Sequence, residues 1–422
     1  MEAIPIVALS IPFFFLLIGI ELLISLYQKK DYYRVCDALT SISCGIGAEV
    51  VGIFMKSILF FGYLYIYNNL RVYTMPDTFL TWAALFLGVD FFYYWFHRKS
   101  HEINALWAAH IVHHQSEDYN LSTALRQAWF QSSFSWVFYL PLAFAGFDPV
   151  LFLTISGINT VYQFWIHTKT VGKLGFLEWF MNTPSHHRVH HGKNPKYLDT
   201  NYAAVFIIWD RMFGTFRQEV EEPVYGITKS LHSWNPVWTN FHYWADLFNL
   251  AARTSRVTDK FKIFINRPGW QPTELGGFQS APEVEKITYK KFDTKAKGDL
   301  VLYIFFQFVP ILITASVFLF LSNTFSSLQK YSLAALIIFS VMNCGLLFEM
   351  RTWAAPLEFI RYIFILSALW LFNGSEKFIF LAVGTIVFVT VSGFWFFLKL
   401  KQFNSRAQRL AEVSFPVTSK RP

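Results

Sequence analysis

Apolar residues in this chain gather into long runs separated by polar stretches. Residues 4–27, IPIVALSIPFFFLLIGIELLISLY, are long enough to cross a bilayer as one helix. A second run covers about 42–68 and a third 78–96, which ends in FFYYWF, an aromatic sequence suited to a membrane interface. Two shorter apolar stretches, about 128–145 and 148–166, are separated by Gly146-Phe147-Asp148-Pro149. These turn residues mark a hairpin that either spans the bilayer or dips into it. Four further runs, about 300–321, 330–349, 354–373 and 378–398, close the chain, and none contains a histidine. The pattern predicts an all-α, multi-pass membrane protein with about nine transmembrane or membrane-embedded helices. Polar sequence is concentrated at 97–126 and 167–299.

Composition agrees with that pattern. Of the 422 residues, 54% are hydrophobic and 15% charged, well below the quarter or so charged in a soluble domain. Cys36, Cys44 and Cys344 show no CxxC spacing, which excludes a disulfide framework and thiolate metal sites as the main chemistry. The net charge of +8 sits mostly beside apolar runs, as membrane topology requires, and is too diffuse for a nucleic-acid footprint. No small-residue cleavage site follows the first run and QKKDYYR comes directly after it, so it reads as a retained anchor. Lys29, Lys30 and Arg34 place the end of that span in the cytosol. With nine crossings, Arg98, Lys99, the Lys-rich piece at 287–297, Arg351 and the basic tail all face the same side.

The candidate chemistry lies in the histidines. Five of the twelve fall between residues 96 and 127: His97, His101, His110, His113 and His114. SHHRVHH adds His186, His187, His190 and His191, with His167 alone between the two clusters. Spacings of three and four return helical side chains to nearly one face, so His97 and His101 stack, as can His110, His113 and His114, and His187, His190 and His191 repeat that second spacing. Eight stacked imidazoles point to a polynuclear metal centre. Without metal, so many buried ring nitrogens would be hard to satisfy. Zinc normally takes four ligands in all, so two metals with four or five imidazoles each account for the set better. A nitrogen-rich dinuclear site that activates oxygen favours iron. Glu102, Glu117, Asp118, Asp199 and Asp210 are candidates for orienting the histidines from behind.

The words HRKSH, HIVHH and HRVHH resemble the fatty acid hydroxylase superfamily of membrane di-iron enzymes. DALTSIS (37–43), GVDFFYYWFHR (88–98), SEDYNLSTALRQ (116–127), YQFWIHT (162–168), NTPSHHRVHHG (182–192) and IIWDRMFGTF (207–216) look more specifically like its alkylglycerol monooxygenase family, as NRPGWQP (266–272) does more weakly. The resemblance covers residues 35–275 or so. It implies an endoplasmic reticulum enzyme that uses O2 and tetrahydrobiopterin to cleave ether lipids. It also implies metal ligands at His97, His101, His110, His113, His114, His187, His190 and His191, with His167 and His186 at extra ligand positions of related hydroxylases. Glu102 follows the second histidine as the family's glutamate does, which implies a catalytic or pterin-side role. His232 and His242 match no motif.

On this reading the chain divides into membrane anchor helices (1–77), a hydroxylase-like catalytic domain (78–275), a basic cytosolic linker (276–299), a four-helix membrane region (300–398) and a cytosolic tail (399–422). A site at cytosolic helix ends would meet the ether bond of a lipid at headgroup level. A soluble pterin could reach it from the cytosol. Two alternatives stay open. A cytochrome-dependent sterol or fatty-acyl hydroxylase or desaturase shares the metal and fold. A non-enzymatic metal-binding membrane protein would place its ligands at mid-membrane depth.

Overall fold

The computed structural model describes residues 6–294, 296–373 and 378–414; Lys295 and residues 415–422 of the expected tail lie outside the described residues. The described chain is helical, with isolated bridges at Met181–Phe206 and Gly192–Tyr225. Among these residues, seven helices are long and apolar enough to cross a membrane. The protein is a multi-pass membrane protein. Its spans lie in α1 (Ile6–Tyr27), α2 (Val35–Leu70, span Val35–Met55) and α3 (Phe79–Glu102), followed by four helices beyond residue 297.

The two apolar stretches around Gly146 are shorter. Ser132–Ala145 is a short apolar segment, and α4 (Pro149–Trp165) has 17 residues, about 26 Å against a hydrocarbon core of about 30 Å. Gly146 makes the turn with φ +96°, where a Cβ would collide with the Tyr73 carbonyl oxygen. Asp148 then caps α4 by accepting from the backbone N–H groups of Val150 and Leu151 at 2.8 and 3.0 Å. The hairpin buries Leu142, Phe147, Phe152 and Ile155 against Tyr63, Leu85 and Val89 of α2 and α3.

The chain separates into two compact units. The first is Met1–Leu231 with Thr239–Phe292; the second is His232–Trp238 with Asp293–Pro422. In the first, α1 is more than an anchor. Its buried Glu21 accepts from the Leu121 backbone N–H at 2.7 Å and from the hydroxyls of Tyr33 and Thr168. One carboxylate thus ties the first span to the segments that follow His114 and His167.

The second unit holds α5 (Gly298–Leu321), α6 (Ser327–Phe348), α7 (Ala354–Leu369) and α8 (Phe378–Ser414). The four closing runs carry no histidine and are apolar in sequence. The interior instead contains a buried ion pair, Arg361 Nη2 to Glu358 Oε1 at 2.6 Å. Asn343 donates to the same carboxylate at 2.7 Å, Arg361 donates to Gln307 at 2.6 Å, and Tyr303 also donates to Glu358.

Candidate metal centre

Nine buried histidines form two groups. His97, His101, His110, His114 and His190 make one; His113, His167, His187 and His191 make the other. Within each group, one nitrogen per ring lies within 4.8 Å of every other. The last turns of α3 supply His97 and His101, and the single turn Ile111–His114 follows from His110. His167 stands just past the end of α4, and the short helix α9 (Pro184–His190) carries the remainder with His191 as its cap. The groups share a wall, because the His114 and His191 rings stack at 4.5 Å.

Protonation can be read from the outer nitrogens. His113 Nδ1 faces the Arg126 carbonyl at 3.1 Å, and His167 Nδ1 faces that of Gln163 at 2.7 Å. A carbonyl only accepts, so both Nδ1 atoms carry the hydrogen and both Nε2 atoms of the neutral rings present lone pairs. Those two Nε2 atoms nevertheless stand 3.1 Å apart. His97 Nδ1 on the Tyr202 carbonyl (2.7 Å) and His190 Nδ1 on that of Thr200 (2.9 Å) repeat the arrangement in the first group. The inward Nε2 atoms of His101 and His190 are buried with no hydrogen-bond partner. Converging lone pairs repel one another unless a cation lies among them, so the donor set fits two metal ions. Burial also keeps the rings neutral, the form a metal needs. It pushes His110 and His167 down to about 4 and His190 down to about 3.

Known proteins show the same pattern. Residues 82–215 match the fatty acid hydroxylase family. The chain is 40% identical to the alkylglycerol monooxygenase of Homo sapiens over 408 residues, covering 93% of this chain and 89% of that protein. It is also 40% identical to that of Xenopus tropicalis, over 84% of this chain and 80% of that protein. The chain belongs to the alkylglycerol monooxygenase family. An ornithine lipid hydroxylase of Rhizobium tropici is 30% identical over 33% of this chain and 44% of its own. No solved structure matches the chain.

The backing of the histidines differs from the carboxylates that the sequence suggested. It comes chiefly from backbone carbonyls and the Gln131 side chain, whose Oε1 lies 2.9 Å from His110 Nδ1. Of the five carboxylates expected behind the rings, only Asp199 approaches one, at 3.6 Å from His101 Nδ1, and its side chain is 61% exposed. Asp210 acts through the loop instead. It accepts from the backbone N–H groups of Tyr202 and Ala203 at 2.8 and 2.9 Å and from the Thr215 hydroxyl at 2.7 Å. Asp90 of α3 grips the next residues, accepting from the N–H groups of Val205, Phe206 and the Trp209 indole. Together they fix the loop whose carbonyls orient His97 and His190. A carboxylate in the middle of the apolar run GVDFFYYWF was the sequence signal for this clamp. Glu117 and Asp118 turn away, to Tyr289 and Phe292 and to Arg34 and Lys291.

His186 joins neither group. Consecutive helical residues point about 100° apart, so with His187 facing inward His186 faces out, against the Phe216 ring at 5.3 Å. Glu102 lies outside both groups, with Oε1 on Arg98 at 2.9 Å and Oε2 on Lys99 at 2.6 Å. His242 is buried near Gln115 and the Thr239 carbonyl.

Proposed function

We propose that this protein is a membrane di-iron monooxygenase that cleaves ether lipids, with tetrahydrobiopterin as reductant. It hydroxylates the carbon next to the ether oxygen of 1-O-alkylglycerols and lyso ether phospholipids. The observation that carries the reading is the pair of inward-facing histidine groups in a chain with 40% identity to the human alkylglycerol monooxygenase. His97, His101, His110, His114 and His190 would hold one iron, and His113, His167, His187 and His191 the other. Bound there, the irons would supply oxygen-activating redox chemistry.

The chain's own residues set the conditions. At His97, His113, His167 and His190, bonds from Nδ1 to carbonyls fix the ring's tautomer and direction and raise the basicity of the opposite nitrogen. Trp107 covers His101 and His114 with ring centroids 4.8 and 5.4 Å away, and Tyr119 covers His191 at 5.3 Å, which keeps water from the reacting atoms. One atom of O2 enters the C–H bond beside the ether oxygen. The other leaves as water, with two electrons from the pterin and two protons. The resulting hemiacetal loses its C–O bond to give a fatty aldehyde and a free glycerol hydroxyl.

Glu102 is proposed as the pterin-side residue. Each of its oxygens keeps a lone pair beyond its present ion pair, and a carboxylate accepts strongly from amino-pyrimidine N–H groups. The site is proposed to face the cytosol from the endoplasmic reticulum membrane. The test is purified membranes with alkylglycerol and O2, with and without tetrahydrobiopterin, scoring fatty aldehyde. Aldehyde formation that is indifferent to the pterin and follows a cytochrome would favour the sterol or acyl hydroxylase reading.

A further inference from the structure

Residues 167–299 read as polar, yet two segments of this stretch, held together through Arg211, turn large apolar side chains outward. In the turn Gly175–Trp179, Phe176 and Trp179 are 73% and 70% exposed; in Ile208–Met212, Met212 is 67% exposed. Isolated exposed apolar residues are ordinary, but a joined group of large ones marks a contact surface. These are joined. Arg211 Nη2 donates to the Glu178 carbonyl at 3.0 Å, and its guanidinium lies 5.2 Å from the Trp179 ring centroid.

Depth follows from α3. Phe213, one residue past the second segment, packs on three rings of that span: Trp95 at 5.0 Å, Tyr94 at 5.4 Å and Phe91 at 6.3 Å. Helix rise puts Phe91 about 18 Å and Trp95 about 24 Å from the start of α3 at Phe79. The hydrocarbon core is about 30 Å thick, so whatever packs on these residues lies near its far boundary rather than in bulk water. Aromatic residues with an arginine are the composition that rests at that level.

We propose that Gly175–Trp179 and Ile208–Met212 form a rim dipping into the boundary between headgroups and acyl chains, with bilayer lipid as its partner. The rim adjoins the metal centre. Glu178 accepts from Ser185 at 2.7 Å and from Thr183 at 3.0 Å at the start of α9, and Phe216, 3.9 Å beneath Arg211, touches His186. The turn that carries Phe176 and Trp179 therefore also holds, through Glu178, the start of the helix that carries His187, His190 and His191. A lipid crossing the rim keeps its tail in the bilayer while its head reaches the histidines.

The test is direct and needs no catalysis. Cysteines are placed singly at Phe176, Trp179, Met212 and, as a control, Lys229, whose side chain is 89% exposed. The native cysteines are buried and stay unlabelled. Full-length protein in lipid nanodiscs is labelled with a nitrobenzoxadiazole fluorophore. At 176, 179 and 212 emission should shift to the blue and be strongly quenched by lipids nitroxide-labelled near the headgroup, while 229 reports water. Water-like, unquenched emission at 176 and 179 would overturn the rim whether or not the protein cleaves ethers. The three sites point away from the protein interior and are probed separately, so one poorly folded variant does not decide the outcome.

Discussion

At the scale of single residues, adjacent histidines do different work. His113 and His114 are neighbours on one turn, yet they belong to different groups, and so do His190 and His191. Spacings of three and four made the clustering of the histidines legible in the sequence, but they put His110, His113 and His114 on one face. The structure separates His113, because a turn four residues long spreads its side chains widely and His167 and His191 approach from the other side. The carbonyls that aim the rings were not legible, since every residue type carries one. Changing His113 or His190 to Ala should abolish turnover and lower bound metal, with membrane insertion unchanged, because apolar runs set insertion. Normal activity in His190→Ala would remove the basis of the two-metal reading. Glu102→Gln keeps the shape and removes the charge. It should retain bound metal but require a much higher tetrahydrobiopterin concentration. Unaltered pterin dependence would leave Glu102 as a partner of Arg98 and Lys99 only, and loss of metal would make it part of the metal centre.

At the scale of elements, the hairpin shows why the number of helices was harder to read than their type. Apolar runs at 128–145 and 148–166 became a broken segment and a 17-residue helix, neither among the seven candidate spans. Gly146 and Pro149 interrupt the apolar sequence, so each piece is shorter than any of the seven candidate spans. A dipping hairpin removes two crossings, so the expected sidedness of everything after it is unchanged. Cysteine reporters near Lys173 and Lys291 should therefore label from the cytosolic side, and one near Ser326 only from the lumen. Lumenal labelling near Lys173 would invert the orientation and leave a soluble pterin on the wrong side. In the C-terminal helices a different element property is at stake. Arg361 and Glu358 are each about 1% exposed, and removing one partner strands the other charge in an apolar interior. Arg361→Leu should cost about 3–5 kcal/mol, read as a lowered denaturation midpoint, with much of it recovered in Glu358→Gln/Arg361→Met. An unchanged midpoint in the single variant would mean that the pair is not buried in the membrane-embedded protein.

At the scale of the whole molecule, the placement of the histidines predicts that metal binding and folding are coupled. The histidines come from four separate stretches of the first unit, around residues 97–101, 110–114, 167 and 187–191, and their inward lone pairs repel one another when nothing binds them. Metal free in solution at about a thousand times its dissociation constant stabilises the folded state by about 4 kcal/mol per site. Stripping metal should therefore lower the melting temperature and speed amide exchange in these four stretches. Exchange in Ser327–Phe348, which carries no histidine, should stay the same. Because the groups offer five and four nitrogens, titrating iron back should restore stability and aldehyde formation only as loading approaches about two ions per chain. The groups touch through the stacked His114 and His191, so filling the first should order part of the wall of the second. Full recovery of both properties at one equivalent would mean that a single metal, held by one of the two groups, suffices. That outcome would return one group to a structural role and overturn the dinuclear centre.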